Sequence, residues 1–165
     1  MATEPITLFA KLVDPARALR VLRELSPKLE VEGEDETWRR AVVSVGMWPL
    51  RKRLIVSHDP AYYSEPNWSI QMEGMRGYFS RFPGVPARER VLELIHQFQF
   101  SLGTIVDPDL TNSDHRFTVI QALAMELEAV WFTPSSLRDS TGRVLLAINP
   151  SEIDPEARWP TYAAA

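Results

Sequence analysis

Ile6-Thr7-Leu8-Phe9-Ala10-Lys11-Leu12-Val13-Asp14-Pro15 opens as a β-branched, apolar run and closes on a helix-starting pair. The run predicts a first strand. Asp14 can accept hydrogen bonds from the next turn, and Pro15 suits the first helical position, where its missing N–H costs nothing. Ala18, Leu19, Val21, Leu22 and Leu25 then form one apolar helix face, Arg17, Arg20 and Arg23 ride the other, and Ser26-Pro27 ends the helix.

Downstream, residues 37–45 are rich in β-formers, and Leu54-Ile55-Val56 reads as a short buried strand. The turn between them holds Gly46, Pro49 and the basic group Arg51-Lys52-Arg53. Residues 30–36 are too acidic for a core strand and read as an exposed edge or loop. The same order then recurs. Residues 102–106 form a strand followed by Asp107-Pro108, and Asn112 or Ser113 caps a helix carrying Phe117, Ile120, Leu123, Ala124 and Leu127 on one face. Residues 130–133 and 144–148 supply two more strands, separated by the turn Asp139-Ser140-Thr141-Gly142. The expected fold is therefore α+β: a pseudo-duplicated β-α-β-β sheet with helices on one face. Half one covers residues 6–58 and half two residues 102–149, within a single domain of residues 1–150.

Residues 61–100 form an insertion that the duplication does not explain. Its second part starts at Pro86 and reads as a helix with Val91, Leu92, Ile95 and Phe98 on one side. Its first part concentrates Tyr62, Tyr63, Trp68, Tyr78, Phe79 and Phe82 with Met72 and Met75. Trp68, Met72, Met75 and Phe79 fall at helical spacing, but Trp68, Ile70 and Met72 also alternate as in a strand. Gly74 and Gly77 weaken the helical reading by ~1 kcal/mol each relative to Ala. Residues 151–165, with Pro155 and Pro160, read as an irregular tail held by Trp159.

The order of elements resembles the duplicated strand-helix-strand-strand domains of gyrase-inhibitor-like regulators. That resemblance implies a groove between the halves that takes hydrophobic small molecules. Fold-level likeness does not by itself give function.

Tyr62, Tyr63, Trp68, Met72, Met75, Tyr78 and Phe79 are the expected ligand-binding residues, because pockets are mostly apolar and adaptable Met beside rigid aromatics suits them. The same residues also suit a segment that packs over the sheet and closes the core. His58-Asp59, Asp107, Asp109 and Asp114-His115 are scattered metal-ligand types without close ligand spacing, and His96 has no nameable partner. Gly-x-Ser-x-Gly is absent, the 7 glycines never cluster into a phosphate loop, and the absence of cysteine removes thiol nucleophiles and Cys-ligated metals. Gly74-Met75-Arg76-Gly77 has the spacing of a nucleic-acid clamp loop. Arg39-Arg40 and Arg51-Lys52-Arg53, with Trp48 at the hairpin tip, could form one basic patch. The net charge of −4 opposes general nucleic-acid binding.

The start has neither a basic region nor an apolar stretch of secretory length, and the longest uncharged run, residues 41–50, falls short of the roughly 20 residues a spanning helix needs. The expectation is a cytoplasmic, non-catalytic binding module for a small apolar ligand or a partner protein, with no cofactor, no metal, no nucleic acid and no membrane. Two alternatives stand beside it: a regulatory homodimer joined through an exposed strand edge, and a metal-dependent hydrolase built from the strand-end His and Asp groups.

Overall fold

The elements run β1 (Ile6–Ala10), α1 (Pro15–Leu25), β2 (Glu30–Glu32), β3 (Arg40–Val45), β4 (Lys52–Ser57), α2 (Asn67–Phe79), α3 (Ala87–Ile95), β5 (Phe100–Asp107), α4 (His115–Leu127), β6 (Val130–Thr133), β7 (Ser136–Arg138) and β8 (Val144–Ala147). This computed structural model describes residues 4–47, 49–83, 86–107, 110 and 114–163, and of residues 61 and 62 only the backbone. The class is α+β. All eight strands join one antiparallel sheet in the order β2-β3-β4-β5-β1-β6-β7-β8.

The opening stretch behaves largely as its chemistry dictates. Asp14 accepts the Arg17 N–H at 3.0 Å, and Pro15 occupies the first turn of α1. The strand, however, stops at Ala10, and Leu12 and Val13 lie in the connection, 42% and 49% exposed. Asp114 caps α4 by accepting the Arg116 N–H. The expected caps Asn112 and Ser113 lie outside the described residues.

Alternation along a strand assigns its side chains to opposite faces. Leu8 packs into the cluster formed by α1 and α4, and Phe9 into the cluster formed by α2 and α3. Trp131 and Val130 divide the same way. The helices of the two halves thus share one face, as expected, while the inserted helices cover the other. The molecule is layered helix–sheet–helix rather than helices on one face alone.

The expected superposable duplication is not found. Outward from the central β5–β1 pair, half one runs β4, β3, β2, with its last strand innermost. Half two runs β6, β7, β8, with its last strand outermost. The spatial orders are opposite. Each half's first strand also pairs with the other half: β4 with β5, and β1 with both β5 and β6. The shared Asp-Pro steps reflect turn chemistry, and the groove implied by a repeat loses its basis.

Two further expectations change. Residues 67–79 are a helix despite Gly74 and Gly77, because Trp68, Met72, Met75 and Phe79 bury one face. The Gly-x-x-Gly quartet therefore sits inside a helix and cannot act as a clamp loop. Strand β7 was not foreseen, since its three residues Ser136-Leu137-Arg138 carry a single apolar side chain.

Candidate functional site

Most of the expected site residues come together, but as packed core. On α2, Trp68, Met72, Met75 and Phe79 are all buried, and the Trp68 indole donates to the Phe98 carbonyl at 3.1 Å. Phe9 is the hub, with ring centroids 5.6 Å from Phe98, 5.9 Å from Phe132 and 6.4 Å from Trp68. Phe79 meets Phe132 edge-on at 5.5 Å. Tyr78 is 39% exposed, and its hydroxyl donates to the Pro134 carbonyl. Tyr63 touches both cores. The Tyr62 side chain lies outside the described residues. Edge-to-face rings at these separations fill space rather than leave it.

Tyr63 also closes a polar contact at the seam between the faces. Its hydroxyl donates to the Ser101 carbonyl at 2.6 Å and lies 3.3 Å from His58 Nδ1. With the phenol proton committed to Ser101, His58 Nδ1 must be the donor in that contact, which leaves Nε2 without a proton. His58 Nε2 is buried and has no hydrogen-bond partner among the described residues, and the ring lies edge-on to Trp38 and Phe100. Burial lowers the His58 pKa, Asp59 opposes that shift and Arg39 adds to it. Burial likewise pushes the Tyr63 phenol well above its ordinary value. A neutral histidine beside a protonated phenol holds structure.

The other strand-end groups disperse. His115 Nε2 lies 3.0 Å from the Leu25 carbonyl. Asp114 is buried and accepts from Arg116 Nη2 at 2.7 Å and Nε at 3.1 Å, and the third guanidinium nitrogen, Nη1, donates to the Arg53 carbonyl at 2.9 Å. This pairing holds the Asp114 carboxyl below the usual range. It ties the turn end of the β3–β4 hairpin to α4. Among the described residues no three His, Asp or Glu side chains gather as a metal site. Asp109 lies outside them. Arg39-Arg40 and Arg51-Lys52-Arg53 do not form one patch: Arg40 pairs with Ser57 and Val45 with Lys52, at opposite ends of the hairpin.

Strand edges offer little to a second copy. Strand β2 is three residues long and carries Glu30 and Glu32, and charges on a short edge oppose pairing. At β8, the Asp154 N–H already bonds the Val144 carbonyl.

An open cleft lies elsewhere, where the β1–α1 connection, the end of α4 and the tail meet. A cleft of about 750 Å³ is lined by Leu12, Val13, Met125, Leu127, Lys11, Arg17, Glu126, Glu128, Gln99, Thr161 and Tyr162. Leu12, Val13 and Met125 are largely exposed there. Glu128 ends α4 in the left-handed region at φ 49°, a strained position for a residue with a side chain. Thr161 and Tyr162 of the tail hold it: the Thr161 hydroxyl donates to the Glu128 carboxylate at 2.6 Å, and the Tyr162 hydroxyl to its carbonyl at 2.9 Å. Burial raises the Tyr162 phenol pKa, so it remains a donor. Arg17 lies between Asp14 and Glu126, at 3.5 and 3.7 Å. Lys11 has no carboxylate within 4.0 Å among the described residues. None of the expected residues of the 61–82 segment lines this cleft. Sequence reading missed it because Leu12 and Val13 look like strand and Met125 looks like the outer side of α4. The available signal was Lys11, which breaks the apolar run.

In comparisons with known proteins, no family model, no curated protein and no solved structure matches this chain. Among the described residues no helix is long and apolar enough to cross a membrane.

Proposed function

We propose that the chain is a non-catalytic binding module that takes a small amphipathic ligand, apolar along its body and anionic at one end, in the cleft beside Leu12 and Met125. One observation carries this reading. Three exposed apolar side chains, Leu12, Val13 and Met125, converge in a single cleft of about 750 Å³ whose Lys11 has no ion pair among the described residues. The cleft's volume falls within the roughly 300–1,000 Å³ of ligand pockets. Exposed apolar surface there favours a hydrocarbon body, and the ammonium of Lys11 favours a carboxylate or phosphate head.

Titration calorimetry with decanoate and with decanol tests this. Saturable decanoate binding is expected, weakened by about tenfold or more by Leu12→Asp, because a charge would then line an apolar wall. Lys11→Glu should weaken decanoate binding and leave decanol binding nearly unchanged. Absence of saturable binding, or binding indifferent to both substitutions, overturns the reading.

A further inference from the structure

The tip of the β3–β4 hairpin carries apolar side chains that the fold does not use. Met47 and Leu50 are 83% and 81% exposed, more than any other large apolar residue described. They are nevertheless held in a defined turn. Gly46 takes φ +85°, and the Leu50 N–H donates to the Met47 carbonyl at 2.8 Å. The hairpin behind them is anchored through the Arg116–Arg53 contact. Arg51, Lys52 and Arg53 follow immediately in the chain. Arg53 pairs with Asp107 at 3.2 Å, whereas Arg51 and Lys52 have no ion pair among the described residues.

The acidic groups of this half lie at the other end. Glu32 pairs with Arg40, and Glu34, Asp35 and Glu36 follow beyond it. Six residues of β3, about 20 Å of strand, separate that end from the tip. The tip end thus carries the exposed apolar groups with Arg51 and Lys52, while the far end mixes Glu32, Glu34, Asp35 and Glu36 with Arg39 and Arg40.

We infer that the tip docks onto an anionic lipid surface, with Met47 and Leu50 entering the headgroup region and Arg51 and Lys52 meeting lipid phosphates and carboxylates. An apolar tip with adjacent cations combines the two forces that hold peripheral proteins at bilayers, burial of hydrocarbon and attraction to negative lipid. A purely electrostatic partner would have no use for the apolar turn. A purely apolar one would have no use for the cations. The tip and the cleft stand at opposite ends of β5, whose Gln99 side borders the cleft and whose Asp107 meets Arg53. Each can fail without the other.

Vesicle flotation of the full chain tests the inference. Binding is expected to vesicles containing about one-third phosphatidylserine and not to pure phosphatidylcholine, and it should fall at high salt as the charges are screened. Met47→Ser with Leu50→Ser, and separately Arg51→Glu with Lys52→Glu, should each weaken binding by about tenfold or more. Thermal melting should stay near that of the parent, since all four side chains are exposed. No flotation with anionic vesicles, flotation unchanged by either pair, or binding that ignores lipid charge overturns it.

Discussion

The two faces of the sheet bury cores of different make-up: the first is mostly aliphatic around Trp38, Phe100 and Trp131, and the second draws more of its bulk from rings and methionine. Over the first, α1 and α4 lay Leu19, Leu22, Val119, Ile120 and Leu123 onto Leu8, Leu54, Val56 and Leu102. Over the second, α2 and its neighbours lay Trp68, Met72, Met75, Phe79 and Phe98 around Phe9 and Phe132. The aliphatic face is a product of periodicity: each helix repeats its apolar side every three or four residues. The aromatic face is assembled by convergence, with single rings arriving from separate segments. It depends on a few large plates, so each plate should matter more.

The largest test of that contrast is truncation on each face. Phe79→Ala is expected to cost ~3–5 kcal/mol, at or above the cost of Leu123→Ala, because its aromatic neighbours Tyr78, Phe82 and Phe132 cannot close around the void. Urea denaturation measures both. A Phe79→Ala cost under about 2 kcal/mol would show that α2 is loosely seated and would return residues 61–82 to consideration as a binding surface.

The seam between the faces is expected to respond to acid. His58 has a folded-state pKa below its ordinary 6.5, so the unfolded chain takes up the proton first. Stability from this group is complete above about pH 6.5 and declines as pH falls from there toward the folded pKa. The protonated ring would direct a donor from Nε2 into a site without an acceptor. Denaturation midpoints at pH 7.5 and 5 should therefore separate for the parent and draw together for His58→Gln. A parent midpoint independent of pH, or one whose pH dependence survives His58→Gln, excludes His58 as the cause.

The smallest expected effect tests which side of α2 is in contact. A methyl group added at Gly74 or Gly77 would meet nothing within 4 Å. Gly74→Ala and Gly77→Ala should each stabilise by ~0.5–1 kcal/mol through helix propensity alone. A loss at either position would mean that the outer side of α2 is occupied in solution.

The contrast between the faces also explains what could be read from the chain. Helices α1 and α4 were legible because Asp14-Pro15 marks a start and the aliphatic period continues for three turns. Strands β3, β4, β6 and β8 were legible from β-branched runs, and the acidic residues 30–36 correctly marked an edge. Helix α2 was ambiguous because its two glycines argue against the very spacing that buries it. The choice of face was hidden, since no local pattern states which side of a sheet an inserted helix will cover. The strand order was hidden for a similar reason: pairing of β1 with β5 is a contact between residues about ninety positions apart, and local chemistry does not encode it. The aromatic cluster was visible as composition but not as core. The cleft was nearly invisible, because its lining comes from the ends of elements rather than from their repeating middles.

The interleaving of the two halves has a consequence during synthesis. Strand β1 bonds only to β5 and β6, so Ile6–Ala10 has no partner until residue 100 and its followers have been made. At about 5–20 residues per second, the nascent chain carries that apolar strand unpaired for roughly 5–20 s. Strand β1 thus leaves the ribosome well before the strands that enclose it. Throughout that interval Leu8 and Phe9 stand open to whatever chaperone or neighbouring chain reaches them first.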